Sequence, residues 1–261
     1  MKKIRLDILI TDKGFVESRS LAQRYIMAGK VRVDDQVVYK PAESFSPEVK
    51  IDIIKDAKFV SRGGEKLEEA LNRFNLTILQ DLVCADVGAS TGGFTDCLLQ
   101  YGAQRVYAID VGYGQLSMKL RNDTRVIVME RTNAREKKSL PEMIDLITID
   151  ASFISLKILL PVVKQWLNPK EANVLALIKP QFEAGREEAA RGAGVIRDQR
   201  VHKQVLQDIL EFSQSIDFTV EDLIKSPVKG PKGNIEFLVH LRLPKLPTTA
   251  IEELVNKVLA E

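Results

Sequence analysis

The sequence predicts an α/β protein: a parallel sheet covered by helices on both faces, preceded by a small α+β module. Three observations predict it. From Glu65 onward, apolar runs alternate with helix-length segments, the rhythm of strands joined by crossover helices. Residues 1–60 have a different texture, with apolar positions first at helical spacing and then in strict alternation. Charge divides at the same place: residues 1–60 hold 12 Lys/Arg against 9 Asp/Glu, and residues 61–261 hold 26 against 27.

Leu21, Ala22, Tyr25 and Ile26 make an apolar stripe on a helix, VRVDDQVVYK reads as a short hairpin around Asp34-Asp35, and KIDIIK reads as one more strand. This is a module of about 60 residues, small for an independent core but feasible. The helical stretch EKLEEALNRF follows, and then the strand candidates LVCADVG, RVYAIDVG, RVIVMER, IDLITID and VLALIKP. A helix is expected from Asp198 to Ser213, and FTVEDLIKSPVKGPKGNIEFLVHLRL reads as a closing hairpin around a Pro/Gly turn. Residues 246–261 end the chain as an amphipathic helix with a capping-box pattern at Thr249 and Glu252. The expected organisation is therefore 1–60, 61–245 and the terminal helix.

With 261 residues, 45% apolar and 28% charged, the composition is that of a globular protein. No apolar run approaches the roughly 18 to 20 residues that cross a bilayer, and Asp7 and Asp12 interrupt the place of a signal peptide. No membrane partner is expected, and a reducing cytoplasm fits. The two cysteines, Cys84 and Cys97, cannot make a disulfide framework or a four-ligand zinc site by themselves, and two histidines, His202 and His240, leave little for metal or triad chemistry, so no metal is expected. Both cysteines read as small buried residues rather than nucleophiles. The net charge of +2 means that any nucleic acid must be held by local placement of basic residues.

Asp86-Val-Gly-Ala-Ser-Thr-Gly-Gly-Phe94 ends one apolar strand and opens a helix. Glycines there let backbone N–H groups approach a ligand, and a helix amino terminus favours an anionic group. As a dinucleotide fingerprint, Gly88, Ser90 and Gly93 fail at the middle glycine, which weakens a nicotinamide reading. Asp110 ends the next apolar run, 22 residues after Gly88, where its carboxylate can accept both hydroxyls of an adenosine ribose.

DVGASTGGFTD resembles the S-adenosylmethionine loop of ribose 2′-O-methyltransferases related to the heat-shock RNA methyltransferase. That resemblance implies a Rossmann-like methyltransferase sheet and S-adenosyl-L-methionine as cofactor, with Asp86, Gly88, Ser90, Gly92, Gly93, Phe94, Asp110 and Asn133 as its contacts; Arg131 is a competing adenine reader. The same family carries a Lys-Asp-Lys-Glu tetrad, matched here by Lys66, Asp150, Lys179 and Glu236. Together, SRGGEKL, ERTNAR, DASFISL, IKPQFE and GNIEF are similar to the TlyA family of ribosomal RNA methyltransferases, historically labelled haemolysins. The likeness spans the chain except the final helix, and it implies a 2′-O-methyl product on cytidines, with ribosomal RNA or ribosomal subunits as partner.

The reaction implied is an in-line displacement at a sulfonium methyl, in which the acceptor hydroxyl must be positioned and must lose its proton. Lys179 is the candidate base or hydroxyl orienter and Asp150 its positioning partner; Lys66 and Glu236 are electrostatic and orienting members. Asp150 is followed by Ala-Ser-Phe rather than Pro-Pro-aromatic, which disfavours methylation of a base nitrogen. Residues 5–58 resemble the alpha-L RNA-binding domain, and Arg19, Arg24, Lys30 and Arg32 are the candidate phosphate contacts. Further basic candidates are Arg186, Arg191, Arg197, Lys229 and Lys232. Two other classes stay open at this point: a non-catalytic ribosome-assembly factor, and a membrane-lysing haemolysin.

Overall fold

A computed structural model of the chain describes residues 3–54, 57–185, 188, 191–230, 232–246 and 250–261. Thr249 of the expected capping box and Arg186 lie outside the described residues. The chain separates into two compact units, Met1–Ala57 and Lys58–Glu261.

In the first unit, β1 (Ile4–Arg5) leads into α1 (Leu6–Asp12) and α2 (Arg19–Met27). Ser18 starts α2 by accepting a bond from the Leu21 N–H at 3.3 Å, which satisfies one of the orphan donors of a helix start. Ala22 and Ile26 are fully buried, and Leu21 and Tyr25 pack against the same cluster with Leu6, Leu9 and Ile10. The strands β2 (Val31–Val33), β3 (Gln36–Val37), β4 (Ser44–Phe45) and β5 (Ile51–Ile53) follow. β2 pairs antiparallel with both β3 and β5, and β4 pairs with β1. Asp34 and Asp35 form the hairpin turn with φ of 49° and 65°, the conformation that a two-residue hairpin loop requires.

The second unit opens with α3 (Gly63–Arg73), β6 (Val83–Val87), α4 (Gly93–Gln100), β7 (Arg105–Ile109), α5 (Met118–Arg121) and β8 (Val126–Met129). It continues through β9 (Leu146–Ile149), α6 (Leu156–Val163), β10 (Ala172–Ile178), α7 (Pro180–Glu183) and α8 (Gln199–Ser215) to β11 (Thr219–Lys225), β12 (Phe237–Leu243) and α9 (Ile251–Ala260). The sheet order is β11-β12-β10-β9-β6-β7-β8. Strands β6 to β10 are parallel, and β12 joins β10 and β11 antiparallel as the closing hairpin.

Because both faces are covered, each parallel strand is apolar nearly throughout: Val83, Ala85 and Val87 face one core, and Cys84 faces the other. The first core takes Leu159 and Leu160 of α6, Leu206 of α8 and Val255 of α9. The second takes Leu67 and Leu71 of α3 and Leu98 of α4. Each such leucine contributes about 1.5 to 3 kcal/mol by leaving water. The terminal helix is thus part of this unit's core, through Leu254, Val255 and Val258. In register, Val87 lies opposite Ile109 and Ile149, and Ile178 opposite Phe237. The next residues, Gly88, Asp110, Asp150, Lys179 and Glu236, therefore gather at one edge of the sheet, where open parallel sheets bind their ligands.

Candidate active site

Leaving β6, the chain passes so close to the end of β9 that a Cβ on Gly88 would stand 2.7 Å from the Asp150 carbonyl oxygen; its φ is +87°. Only glycine fits there. The Gly88 and Ala89 N–H groups both donate to the Ile109 carbonyl, at 2.8 and 3.1 Å. The Asp110 carboxylate accepts from the Ser90 N–H at 2.8 Å and from the Gly112 N–H at 2.6 Å. One acidic side chain thereby ties the glycine turn to the loop after β7.

Two cavities meet at Gly88, Ser90, Asp150 and Ser152. One, of about 370 Å³, runs past Asp110, Gln115, Thr132, Asn133 and Leu159. The other, of about 320 Å³, is walled by Ser61, Arg62, Lys66, Gly93, Phe94, Lys179, Lys229 and Glu236. Lys179 Nζ lies 2.6 Å from Asp150 Oδ1 and donates to Ser152 Oγ at 3.0 Å. Lys66 Nζ lies 2.6 Å from Glu236 Oε2, whose other oxygen accepts from Gln181 Nε2 at 3.3 Å. The Glu236 side chain is 1% exposed and that of Lys179 is 9% exposed. The four expected residues thus converge as two desolvated ion pairs at the wall of one cavity. Such an arrangement can fix a hydroxyl and pass its proton on toward a carboxylate; the other cavity presents the Asp110 carboxylate beside the glycine turn.

Several expected contacts are placed differently. Asp86 is fully buried and lines neither cavity. Its Oδ2 accepts from the Thr95 N–H and hydroxyl at 2.9 and 2.7 Å, and its Oδ1 from Thr148 at 3.2 Å. Burial pushes this carboxyl up to about 7 against the pull of those bonds. Asp86 supports the turn from beneath. Gly92 also turns away from the cavities, since a Cβ there would stand 2.2 Å from Leu120 Cδ1; it is required by packing. Asn133 lines the larger cavity, but its carbonyl accepts from the Arg135 N–H and its amide donates to Glu136, capping a single turn. Arg131 stacks its guanidinium on the Tyr113 ring, 4.2 Å from the centroid.

The sequence reading missed four residues. Ser152 holds Lys179. Phe153, 89% exposed with φ +63°, stands against the Phe182 ring at 4.8 Å. Glu183, raised by burial, accepts from Ser155 Oγ and the Leu156 N–H at 2.5 and 2.8 Å, joining the loops that follow β9 and β10. Ser152 and Phe153 were visible as the two residues after Ala151 in the quoted DASF string; nothing local marks Glu183.

The fourth is Asp7 in the first unit. Its buried carboxylate accepts from Arg5 through Nε and Nη2, each at 3.0 Å, from Arg19 Nε at 3.0 Å and from Gln23 Nε2 at 2.8 Å. The Arg5 guanidinium beside it, with Gln23 and Arg19, holds it well below the usual carboxylate range despite burial. Arg19, a candidate phosphate contact, is therefore anchored on one side, with its side chain half exposed. Arg24 and Arg32 are exposed, and Lys30 Nζ lies 5.4 Å from the Tyr25 ring centroid.

Residues 59–243 match the FtsJ-like methyltransferase family, and residues 4–51 match the S4 domain. The Bacillus subtilis protein YqxC is 46% identical over 250 residues, covering 93% of this chain and 87% of its own length. The Mycobacterium tuberculosis protein named 16S/23S rRNA (cytidine-2'-O)-methyltransferase TlyA is 37% identical over 267 residues, covering 100% and 98%. A solved Streptococcus thermophilus structure that carries a hemolysin label superposes with a TM-score of 0.74 at 41% identity, covering 100% of this chain and 95% of that one.

Proposed function

The chain belongs to the FtsJ-like methyltransferase family, and from that premise we propose that it is a ribose 2′-O-methyltransferase of ribosomal RNA using S-adenosylmethionine. The observation that carries this reading is the placement of Lys179 in the wall of the smaller cavity, held by Asp150 and Ser152, which line both cavities. The lining of the larger cavity fits the cofactor through Asp110, whose carboxylate can accept from ribose hydroxyls beside the glycine turn. Bound there, S-adenosylmethionine supplies an electrophilic sulfonium methyl. Lys179 orients the acceptor hydroxyl and relays its proton, handing one of its own ammonium protons to Asp150 as the oxygen–carbon bond forms and the methyl–sulfur bond breaks, while Ser152 fixes the amine. Lys66 and Glu236 hold the opposite wall.

The exposed Phe153 ring offers a face for the base attached to that ribose. The M. tuberculosis relative's name supports cytidine as the target nucleoside, and the S4 unit, with Arg19, Arg24, Lys30 and Arg32, supports docking on ribosomal RNA or a ribosomal subunit in the cytoplasm. Among the described residues no helix is long and apolar enough to cross a membrane. The test is transfer of labelled methyl from S-adenosylmethionine to ribosomal RNA or subunits, followed by nucleoside analysis. The expected product is 2′-O-methylcytidine. A base-methylated product overturns the ribose assignment, and cofactor binding without transfer to any ribosomal substrate favours the assembly-factor reading.

A further inference from the structure

At the wall of the smaller cavity the acids are already committed: Glu236 to Lys66 and Gln181, and Asp150 to Lys179. What remains at the rim is cationic. Arg62, Lys229 and Lys232 are exposed and have no carboxylate within ion-pair distance among the described residues. Many exposed cations elsewhere in this unit are paired, as in Lys58–Glu68, Lys119–Asp96, Arg125–Asp123 and Arg200–Asp198. Arg135, Lys138, Lys157, Lys170 and Arg197 are exposed and without an ion pair among the described residues as well; what sets Arg62, Lys229 and Lys232 apart is that they are unpaired in the walls of the cavities that hold Lys179.

Its three cations fall into two groups about Lys179. Arg62 and Lys229 line the smaller cavity with Lys179. Lys232 lines a third cavity, of about 510 Å³, which Lys179 also walls, together with Phe153 and Phe182. The supports are the elements that carry the ion pairs. Arg62 sits at the start of α3, four residues before Lys66. Lys229 and Lys232 flank the turn before β12, which is braced by Gly230 N–H to the Asn234 carbonyl at 2.9 Å and Gly233 N–H to the Gly230 carbonyl at 2.8 Å. Asn234, 3% exposed, pins that turn to the neighbouring segment by accepting from the Ile196 N–H at 2.9 Å and donating to the Gly194 carbonyl at 2.8 Å.

Every internal ribose of an RNA strand has a phosphodiester on its 3′ side and another on its 5′ side. We propose that Arg62 and Lys229 seat the phosphate on one side of the acceptor ribose and Lys232 the phosphate on the other, so that the strand is threaded across Lys179 by two unpaired cationic groups. This rests on the RNA-methylating reading above and adds the local strand contacts to it. Phosphate contacts of this kind set position and register while reading no sequence.

The test uses the full chain with Arg62→Gln, Lys229→Gln and Lys232→Gln, singly and combined. RNA affinity is measured across a salt series, cofactor affinity by calorimetry, and folding by thermal melting. Each phosphate no longer neutralised removes about 0.7 to 0.9 from the slope of log K against log salt, so the triple variant, which gives up both phosphates, should lose about 1.4 to 1.8 in slope. If the two proteins converge near 1 M salt, that is about 25- to 60-fold in affinity near 0.1 M. Cofactor affinity and melting should stay at the parent values, and Lys229→Arg with Lys232→Arg should keep the parent slope. An unchanged slope in a folded triple variant of a methylating parent overturns the rim while leaving the methyltransferase reading intact. Loss of cofactor affinity in Arg62→Gln, with the RNA slope unchanged, overturns it for Arg62 by assigning that side chain to the cofactor's carboxylate. A parent chain that transfers no methyl to RNA removes the reading on which the rim rests.

Discussion

Replacing Lys179 by arginine keeps a positive charge in the slot but removes the compact amine on which the proposed chemistry depends. Nζ is held at 2.6 Å by Asp150 Oδ1 and at 3.0 Å by Ser152 Oγ, in a side chain only 9% exposed. A guanidinium can satisfy Asp150 with one arm of its planar fork, but its other arm then extends toward the cavity face, and it does not give up a proton near neutral pH. Losing a positioned acid–base group costs on the order of 100-fold or more, or about 2.7 kcal/mol of barrier at 1.36 kcal/mol per tenfold. Cofactor affinity should change little, because Lys179 does not line the cavity that holds Asp110. Single-turnover rates on saturating RNA, with cofactor binding measured separately and Lys179→Ala as reference, read both quantities. A near-normal rate in Lys179→Arg would mean that positive charge alone suffices, and the assignment of Lys179 as proton relay or hydroxyl orienter would fall.

Asp110→Ala should weaken cofactor binding by on the order of 1.5 to 3 kcal/mol, the scale of a charge-assisted bond, and intact affinity by calorimetry would move the adenosine site elsewhere. Asp86→Asn should gain stability relative to the parent as pH rises. The folded Asp86 carboxyl is raised to about 7, so its contribution is present below the unfolded value near 3.9 and is lost progressively up to the folded one; between pH 6 and 8 the gap should shift by about 1.4 kcal/mol. Melting curves with a constant offset over that range would contradict this account of Asp86. Asp7→Asn should loosen the first unit at pH 7, read as faster amide exchange in α1 and α2. Because the folded Asp7 carboxyl is depressed, its contribution is present above the unfolded value near 4 and lost as pH falls; the gap to the parent should therefore close in acid, and a gap that stays the same below pH 4 would sink the argument.

The fold was legible because its signals are local. Parallel strands buried on both faces must be apolar at consecutive positions, and VCADV, RVYAI, LITI and ANVLALI are so apart from one polar residue each. The hairpin at Asp34-Asp35 was legible because two residues with positive φ between alternating segments have few other readings. The end of the α8 helix was less so, running to Ser215 rather than Ser213. Nothing in the ladder of backbone bonds fixes a terminus once the last buried apolar position, Leu210, has passed.

The candidate site was legible as a set of residues but not as a set of contacts, and the difference has a physical cause. Lys66 and Glu236 are 170 residues apart and Lys179 and Ser152 are 27 apart, so no periodicity can announce their pairing. Asp86 illustrates the converse. Its position in the glycine-turn motif suggests a ligand contact, yet the turn needs a buried acceptor beneath it for the Thr95 N–H as much as it needs donors above it, and a motif cannot say which side a side chain serves. The same holds for Arg19: the charge is on the helix face where a phosphate contact was expected, but Asp7, twelve residues earlier, takes its Nε and limits the directions in which the rest of the fork can point. Charge could be counted from the sequence. Which charges are already spent could not, and neither could a place in the cavity walls, which together with the missing partners sets Arg62, Lys229 and Lys232 apart.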